Sequence, residues 1–589
     1  MPSTIDPLTL EVFWSRLIAV VNEQAASLIR TAFSPSVAEA GDISACAFDP
    51  RGFLIAQAVT GTPGHINSMA RCIRHFLDSY PADTLAPGDV LITNDPWKTS
   101  GHFHDVTVVT PIFRGRGPGR TPVPRRAVAE RGGGLVAFFG NICHLADIGG
   151  RPFSADAREL FEEGLFIPVT KLFAAGAPNE ELLKILRANV REPEAVVGDL
   201  YAMAAANDVG GERLLEFLSE SGLDSVLPLA DEVIARSERA MREAIARVPD
   251  GVYRNSLTMD GYDRPVTLAV TITVRGDAML VDYAGTSPMS DYGINVVMNY
   301  TEAYTTFGLK CALAPEVPNN EGSFRPVTIV APPGCILNCL HPAPVAARHI
   351  VGQWLPNVVH GALVQAVPDG VLADGASGLW NTQFTGYHAD GRRFSLLFFN
   401  SGGMGARPTK DGLSSTAFPS GVHGTPAEIV EARSPLMFVK REFRTDSGGP
   451  GRYRGGLGHW LVIKGLRARR PYRFSPFFDR IDNPARGYGG GLAGAPGVYS
   501  VGTGERPNPK ATIWVEPETE LVMGLPGGGG FGDPLERDPD LVRADVLNEL
   551  VSLEGARDHY GVVLEHACSV LSVDRPATER LRAARRKLP

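Results

Sequence analysis

The sequence has no long apolar run, no excess of basic residues and no even set of cysteines. No stretch reaches the roughly 18 to 20 consecutive apolar residues that a membrane-spanning helix needs. The net charge of -8 argues against nucleic acid as the main partner, because neutralising phosphates requires concentrated Lys and Arg. Seven cysteines in 589 residues favour reduced thiols over a disulfide framework. Since the first residues also resemble no secretory signal, we expect a cytoplasmic location.

Nucleotide and protease motifs are also missing. No G-x-x-x-x-G-K-[ST] segment occurs, so nothing local explains the use of ATP. The stretch 445–450, TDSGGP, mimics the nucleophile loop of a serine protease but lacks the matching histidine segment, and a glycine-rich turn is the better interpretation. The stretch 526–534, PGGGGFGDP, lacks the Lys-Ser/Thr of a phosphate-binding loop and is likewise predicted to be structural.

The remaining composition, 44% hydrophobic and 21% charged, is that of an ordinary globular protein, and the length predicts two to four domains. Apolar spacing predicts helices over 6–30, 67–80 and 346–367 and a largely helical region over 154–248. Alternating segments around tight turns predict antiparallel strands. We therefore expect an α+β protein with mixed or antiparallel sheets and a helical middle region. The predicted regions are an N-terminal metal-site region (1–153), a helical region (154–250), an α+β region (251–370) and a glycine-rich β region with a helical tail (371–589).

The most informative stretch is 94–105, NDPWKTSGHFHD, which runs directly into an apolar, β-branched strand. His102 and Asp105 in this loop are the donor types that Zn or Mn accepts. His144 and Asp147 repeat the spacing after the next predicted strand. If the two strands pair across the loop 114–134, both pairs lie at one end of a sheet, with Glu39 or Asp42 as a further carboxylate. A single histidine is more often structural, but this convergence favours a metal site.

A basic loop, Arg407-Pro-Thr-Lys410, is the other candidate site. Two cations this close can hold an anionic group. An ordinary solvated turn explains the same residues equally well.

Seven motifs occur in one order along nearly the whole chain: DPLTLEVFWSRL, AEAGDISACAFDPRG, NDPW with GHFHDVTVVTP, HLADIGG, RPTKDGLSSTAFPSG, RTDSGGPGRYRGGLG and PGGGGFGDPLERDP. In these the chain resembles the B subunit of the hydantoinase/oxoprolinase family. That family includes N-methylhydantoinase, the C-terminal half of 5-oxoprolinase, caprolactamase, and subunits of acetone and acetophenone carboxylases.

The resemblance implies a divalent metal, Zn or Mn, on Asp42, His102, Asp105 and His144, with Glu39 as the alternative first carboxylate. His104 stands where relatives usually carry Pro and is not assigned as a ligand. Glu39 or Asp147 would serve as the general base. Arg407 and Lys410 would hold a phosphorylated substrate.

The resemblance also implies the reaction, an ATP-dependent opening of a cyclic amide such as a hydantoin, 5-oxoproline or a lactam. ATP-Mg would bind a partner A-type subunit of actin-like kinase fold, in a hetero-oligomer such as A2B2. That subunit would phosphorylate the amide, and a metal ion here would activate water and stabilise the oxyanion. Two alternatives stay open: a subunit of an ATP-dependent ketone carboxylase, and a non-catalytic scaffold for the kinase-like subunit.

Overall fold

A computed structural model describes residues 6–59, 61–114, 134–567 and 570–586. Most of the predicted loop 114–134 lies outside these ranges. None of the helices in the described ranges is both long and apolar enough to cross a membrane.

The described helices are α1 (Pro7–Thr31), α2 (Pro35–Ala38), α3 (Pro63–Ser79), α4 (Glu180–Asn189), α5 (Pro193–Glu220), α6 (Leu227–Ala246), α7 (Met298–Leu313), α8 (Glu321–Phe324), α9 (His349–Gly352), α10 (Leu355–Leu363), α11 (Ala427–Arg433), α12 (Pro539–Leu547), α13 (Leu553–Asp558) and α14 (Arg575–Arg585). The first eleven strands are β1 (Ile43–Phe48), β2 (Leu54–Gln57), β3 (Val90–Thr93), β4 (Asp105–Phe113), β5 (Leu135–His144), β6 (Thr170–Ala174), β7 (Ala177–Pro178), β8 (Gly251–Met259), β9 (Val266–Arg275), β10 (Ala278–Asp282) and β11 (Val327–Val330). The remaining ten are β12 (Thr382–Tyr387), β13 (Arg393–Phe398), β14 (Met437–Phe443), β15 (His459–Lys464), β16 (Tyr472–Pro476), β17 (Val498–Val501), β18 (Ile513–Val515), β19 (Leu521–Gly524), β20 (Leu564–Ala567) and β21 (Val570–Val573).

The N-terminal half is built on a seven-stranded antiparallel sheet in the order β2-β1-β5-β4-β3-β6-β7. Helices cover both faces, α1 and α5 on one and α3 on the other. Every residue of β1 and β4 is consequently buried. That explains why both strands are nearly continuous apolar runs rather than alternating ones.

Strand pairing brings the predicted ligands to one edge of this sheet. Asp105, the first residue of β4, lies opposite His144, the last residue of β5. β1 begins beside the same end of β5, and the His144 amide donates to the Asp42 carbonyl oxygen. The predicted pairing across the loop 114–134 is therefore confirmed.

Two details differ from the predicted secondary structure. The predicted helical region contains α4, α5 and α6, but before them β6 and β7 form a hairpin that extends the large sheet. The single helix predicted over 346–367 is two short helices, α9 and α10. Pro356 lies in the first turn of α10, where its missing N–H and fixed φ suit a new helix start and not a helix interior.

The C-terminal half contains two antiparallel four-stranded sheets, β13-β12-β16-β18 and β14-β15-β19-β17. Four glycine-rich segments of this half pack on one another and form a layer of backbone without side chains between them. They are residues 402–405, 448–458, 487–494 and 526–532. The Gly528 amide donates to the Gly456 carbonyl oxygen and the Gly449 amide to the Gly528 carbonyl oxygen, both at 2.8–2.9 Å. A Cβ added to Gly527 would lie 1.7 Å from the Ser447 carbonyl oxygen, so this layer excludes side chains. The α+β class is confirmed, and the glycine-rich motifs are structural.

Candidate metal centre

Asp105 is the hub of a buried cluster at the sheet edge. Its Oδ1 lies 2.7 Å from His102 Nε2 and 3.1 Å from His144 Nδ1. Its Oδ2 lies 2.8 Å from His65 Nε2 and also contacts the Arg348 guanidinium. Burial opposes ionisation of Asp105, but its contacts with His65 and Arg348 hold its pKa well below the usual range. The cluster therefore centres on an ionised carboxylate.

His102 is held in the form that a metal ligand requires. Its Nδ1 lies 2.7 Å from the Ala346 carbonyl oxygen, which can only accept, so Nδ1 carries the proton and Nε2 presents a lone pair to the cluster. Burial, reinforced by the charge of Arg348, lowers the pKa of His102 to about 3 and keeps the ring neutral. Although Nε2 is close to Asp105, it has no hydrogen bond of normal geometry within the described chain.

Two members of the cluster are absent from the sequence-based prediction. His65 lies in the first turn of α3, and Arg348 immediately precedes α9. The Arg348 guanidinium also donates to the Ser100 carbonyl oxygen and stacks 4.1 Å from the centre of the Tyr300 ring. No local spacing signals either residue, because tertiary packing delivers both.

Asp42 lies at the rim of the cluster. Its carboxylate is 4.0 Å from His144 Nδ1 and 3.8 Å from His65 Nε2, and it accepts a hydrogen bond from the Thr62 hydroxyl at 3.0 Å. It lines the same pocket as His102, Asp105 and His144, a compact space of about 30 Å³. His104 is not predicted as a ligand from the sequence, and in the structure it stacks on His144 and does not line this pocket.

The other predicted site residues lie outside the pocket. The Asp147 carboxylate is engaged by Arg191, 2.5 Å from its Nη1, and by backbone N–H groups. Glu39 does not line the pocket. Arg407 and Lys410 face each other across a turn in which Arg407 donates to a backbone carbonyl at 2.6 Å. Their roles as base and anion holder remain predictions.

The donors fit a divalent transition metal. One ligand atom each from His102, Asp105 and His144 lies within 4.8 Å of the others, and all three side chains are buried. Neutral imidazole and ionised carboxylate are the usual set for Zn or Mn. The free Nε2 of His102 and the space for one ion are what such a centre needs.

Comparison with known proteins gives a family match over most of the chain. The protein-family model described as Hydantoinase B/oxoprolinase matches residues 6–534 of the chain. Caprolactamase subunit beta of Pseudomonas jessenii is 30% identical, with 99% of this chain and 100% of that protein covered. The crystal structure of ATP-dependent caprolactamase from the same species superposes with a TM-score of 0.87 at 28% identity, covering 99% of this chain and 100% of that one. A nucleotide-free acetone carboxylase structure has a TM-score of 0.86 at 19% identity, covering 99% and 83%, which shows a shared fold.

Proposed function

Because the chain belongs to the hydantoinase B/oxoprolinase family, we propose that it is the metal-dependent subunit of an ATP-dependent cyclic amide hydrolase. Its substrate would be a ring amide phosphorylated by a partner subunit. The observation that carries the proposal is the convergence of His102, Asp105 and His144 on one buried pocket, with the free Nε2 of His102 facing Asp105.

The need for ATP follows from the chemistry of the substrate. A lactam or imide is resonance-stabilised, so its carbonyl is a poor electrophile and its nitrogen a poor leaving group. Phosphorylating the carbonyl oxygen would produce an activated imidate. The sequence has no phosphate-binding loop of the G-x-x-x-x-G-K-[ST] type, which favours ATP binding on a partner. The caprolactamase relative is itself named as one subunit of its enzyme, in agreement with a partner chain.

Each residue of the cluster has a task in this proposal. His102, Asp105, His144 and Asp42 would hold the ion, which would supply Lewis acidity and a more acidic water. The Ala346 carbonyl fixes the tautomer of His102. Arg348 and His65 hold the Asp105 carboxylate ionised and in place.

Metal content tests the centre. His102→Ala and His144→Ala should each lose the metal that co-purifies with the wild-type chain. His388→Ala, at a turn between β12 and β13, serves as the control and should retain it. Unchanged metal in both cluster variants would refute the site.

Activity tests the reaction. The chain together with its partner should open cyclic amides only with ATP, and bicarbonate should have no effect. Carboxylation of a ketone with bicarbonate would instead establish the carboxylase alternative. Full turnover by a metal-free complex would exclude a metal-dependent role for this subunit.

A further inference from the structure

A second cavity adjoins the metal pocket. It has a volume of about 340 Å³ and shares Phe399 and Val422 with the pocket of about 30 Å³ that contains the histidine–aspartate cluster. A space of about 30 Å³ accommodates an ion or a water molecule but no organic ring. A cavity ten times larger matches the lower end of the range for small-ligand sites. The substrate must therefore dock outside the metal pocket, and this cavity is its immediate neighbour.

The cavity opens to solvent beside β14, and its inner end borders the metal pocket. Phe443, which is 52% exposed, and the exposed Arg441 form its outer rim. Phe399 and Val422 are buried and form the wall it shares with the metal pocket. A molecule that enters past the rim would meet apolar side chains and a few polar groups on the way to that wall.

One polar feature of the cavity is a serine–histidine pair, in which His459 is buried and Ser415 is half-buried. Ser415 Oγ lies 2.8 Å from His459 Nδ1. Ser415 has a left-handed backbone, with φ of 46°, and its amide donates to the Leu457 carbonyl oxygen at 2.8 Å. His459 is only 7% exposed, and its Nε2 has no hydrogen bond of normal geometry within the described chain. A strained serine and a buried, unpartnered imidazole nitrogen on a cavity wall indicate that the pair awaits a ligand.

The electrostatics of the pair suit a hydrogen-bonding role. Burial, together with the charge of Arg441 and despite a contact with the Ser401 backbone, lowers the pKa of His459 to about 4. The ring is therefore neutral at physiological pH. Whichever tautomer it adopts, His459 and the Ser415 hydroxyl together can offer a ligand one donor and one acceptor.

Arg441 is a second polar feature of the cavity. Its Nη1 donates to the Thr425 carbonyl oxygen at 3.2 Å, and no carboxylate of the described residues forms an ion pair with it. The neighbouring Glu442, which also lines the cavity, is engaged by Lys440 at 2.6 Å. A guanidinium with free N–H groups at the rim is a good partner for a phosphoryl group, which it can bind through two parallel hydrogen bonds.

We propose that this cavity is the chamber in which the phosphorylated ring amide binds. Arg441 holds the phosphoryl oxygens, and the Ser415–His459 pair hydrogen-bonds the ring nitrogen. The ring carbonyl then points between Phe399 and Val422, which line both cavities, so that water in the metal pocket can reach its carbon. This inference rests on the proposed function and adds the residues that bind the activated substrate.

The test uses the complex of this chain with its partner and measures the ATP hydrolysed per ring opened. Arg441→Met should slow ring opening by about 10- to 100-fold, the effect of losing a charged hydrogen bond. ATP hydrolysis should continue, because phosphorylation occurs on the partner and a phosphorylated amide that is not opened loses its phosphoryl group to water and re-forms the amide. The ratio of ATP hydrolysed to ring opened should therefore rise. Arg393→Met is the matched control, since Arg393 lies beside the Tyr387 ring as Arg441 lies beside the Phe438 ring, and both are exposed strand arginines. The ratio for Arg393→Met should equal that of wild type.

Two further variants separate substrate binding from folding. Ala417→Trp fills the cavity from its wall and should abolish ring opening while metal content stays at the wild-type level. His459→Gln should slow ring opening by about 5- to 20-fold through the lost hydrogen bond, again with normal metal content.

The outcomes distinguish the two proposals. If the wild-type complex opens rings with ATP, but Arg441→Met and Ala417→Trp keep its rate and ATP ratio, the chamber is refuted and the proposed function stands. If the wild-type complex opens no cyclic amide, the proposed function fails and the chamber fails with it.

Discussion

Removing the charge of Asp105 should destabilise the fold even without metal. Its carboxylate contacts His102, His144, His65 and the Arg348 guanidinium, and it is fully buried. In Asp105→Asn the side chain keeps its size, but an amide N–H₂ group replaces one acceptor and the charge of Arg348 is left uncompensated. Breaking a buried ion pair by removing one partner costs about 3 to 5 kcal/mol, and we expect a loss of that size in the free energy of unfolding.

A double variant measures the interaction energy between Asp105 and Arg348. Arg348→Met alone leaves the Asp105 charge buried without its guanidinium partner and should also destabilise the fold. In Asp105→Asn/Arg348→Met neither charge remains, so the combined loss should be smaller than the sum of the single losses by about 1 to 3 kcal/mol. Urea unfolding of the chelator-treated chain, followed by tryptophan fluorescence, measures all four proteins. Additive losses, or a loss below about 1 kcal/mol in Asp105→Asn, would refute the assignment of Asp105 as the shared counter-ion.

Three further predictions concern Glu163, Gly64 and Asn207, which lie in the structure around the metal centre. Burial raises the pKa of Glu163 to about 8 from its ordinary 4.5, although two backbone N–H groups oppose the shift. Its folded pKa is the higher one, so wild type should lose about 1.4 kcal/mol of stability relative to Glu163→Gln for each pH unit from roughly 4.5 to 8. Gly64→Ala places a Cβ 2.5 Å from the Tyr300 ring and should cost about 1 to 3 kcal/mol through overpacking, measured by thermal unfolding. Asn207→Leu should cost about 3 kcal/mol in urea unfolding, because Asn207 donates to the Val108 carbonyl oxygen and joins a buried amide network.

Each of these predictions has an outcome that contradicts it. A stability difference between Glu163→Gln and wild type that stays constant from pH 5 to 9 would show that Glu163 ionises normally. Melting of Gly64→Ala at the wild-type temperature would show that the Tyr300 ring moves aside without strain. For Asn207→Leu the control is Asn548→Leu, since Asn548 is an exposed helix-end amide and its replacement should change stability little. A loss of stability in Asn207→Leu no larger than that in Asn548→Leu would contradict the prediction.

The sequence carries enough information to predict three of the five side chains in the cluster around Asp105. The two His-x-x-Asp spacings flank one hairpin, and antiparallel pairing necessarily brings the start of one strand to the end of the other. His102, Asp105 and His144 were predictable on that ground. His65 and Arg348 were not, because a helix start and a distant loop deliver them through packing that no local pattern encodes.

The structure of the glycine-rich motifs could not be predicted from any single motif. Each one alone is indistinguishable from a flexible turn, and the sequence predicts a glycine-rich turn at 445–450 and a structural loop at 526–534. In the structure the segments pack on one another, and their amides and carbonyls pair across the layer. Only the presence of several such segments together makes that arrangement possible, and single-motif interpretation does not detect it.

The glycine layer has a consequence for how mutational data on this protein should be interpreted. A Cβ on Gly403 or Gly405 would fall 1.8 Å from a backbone oxygen, and one on Gly455 would fall 1.9 Å from another. No substitution, however conservative, avoids those collisions. A saturation scan will therefore show separate groups of intolerant positions in the four glycine-rich segments, as sharp as the group at the histidines. Read without the structure, those groups would pass for an active site, although they contain no reactive group.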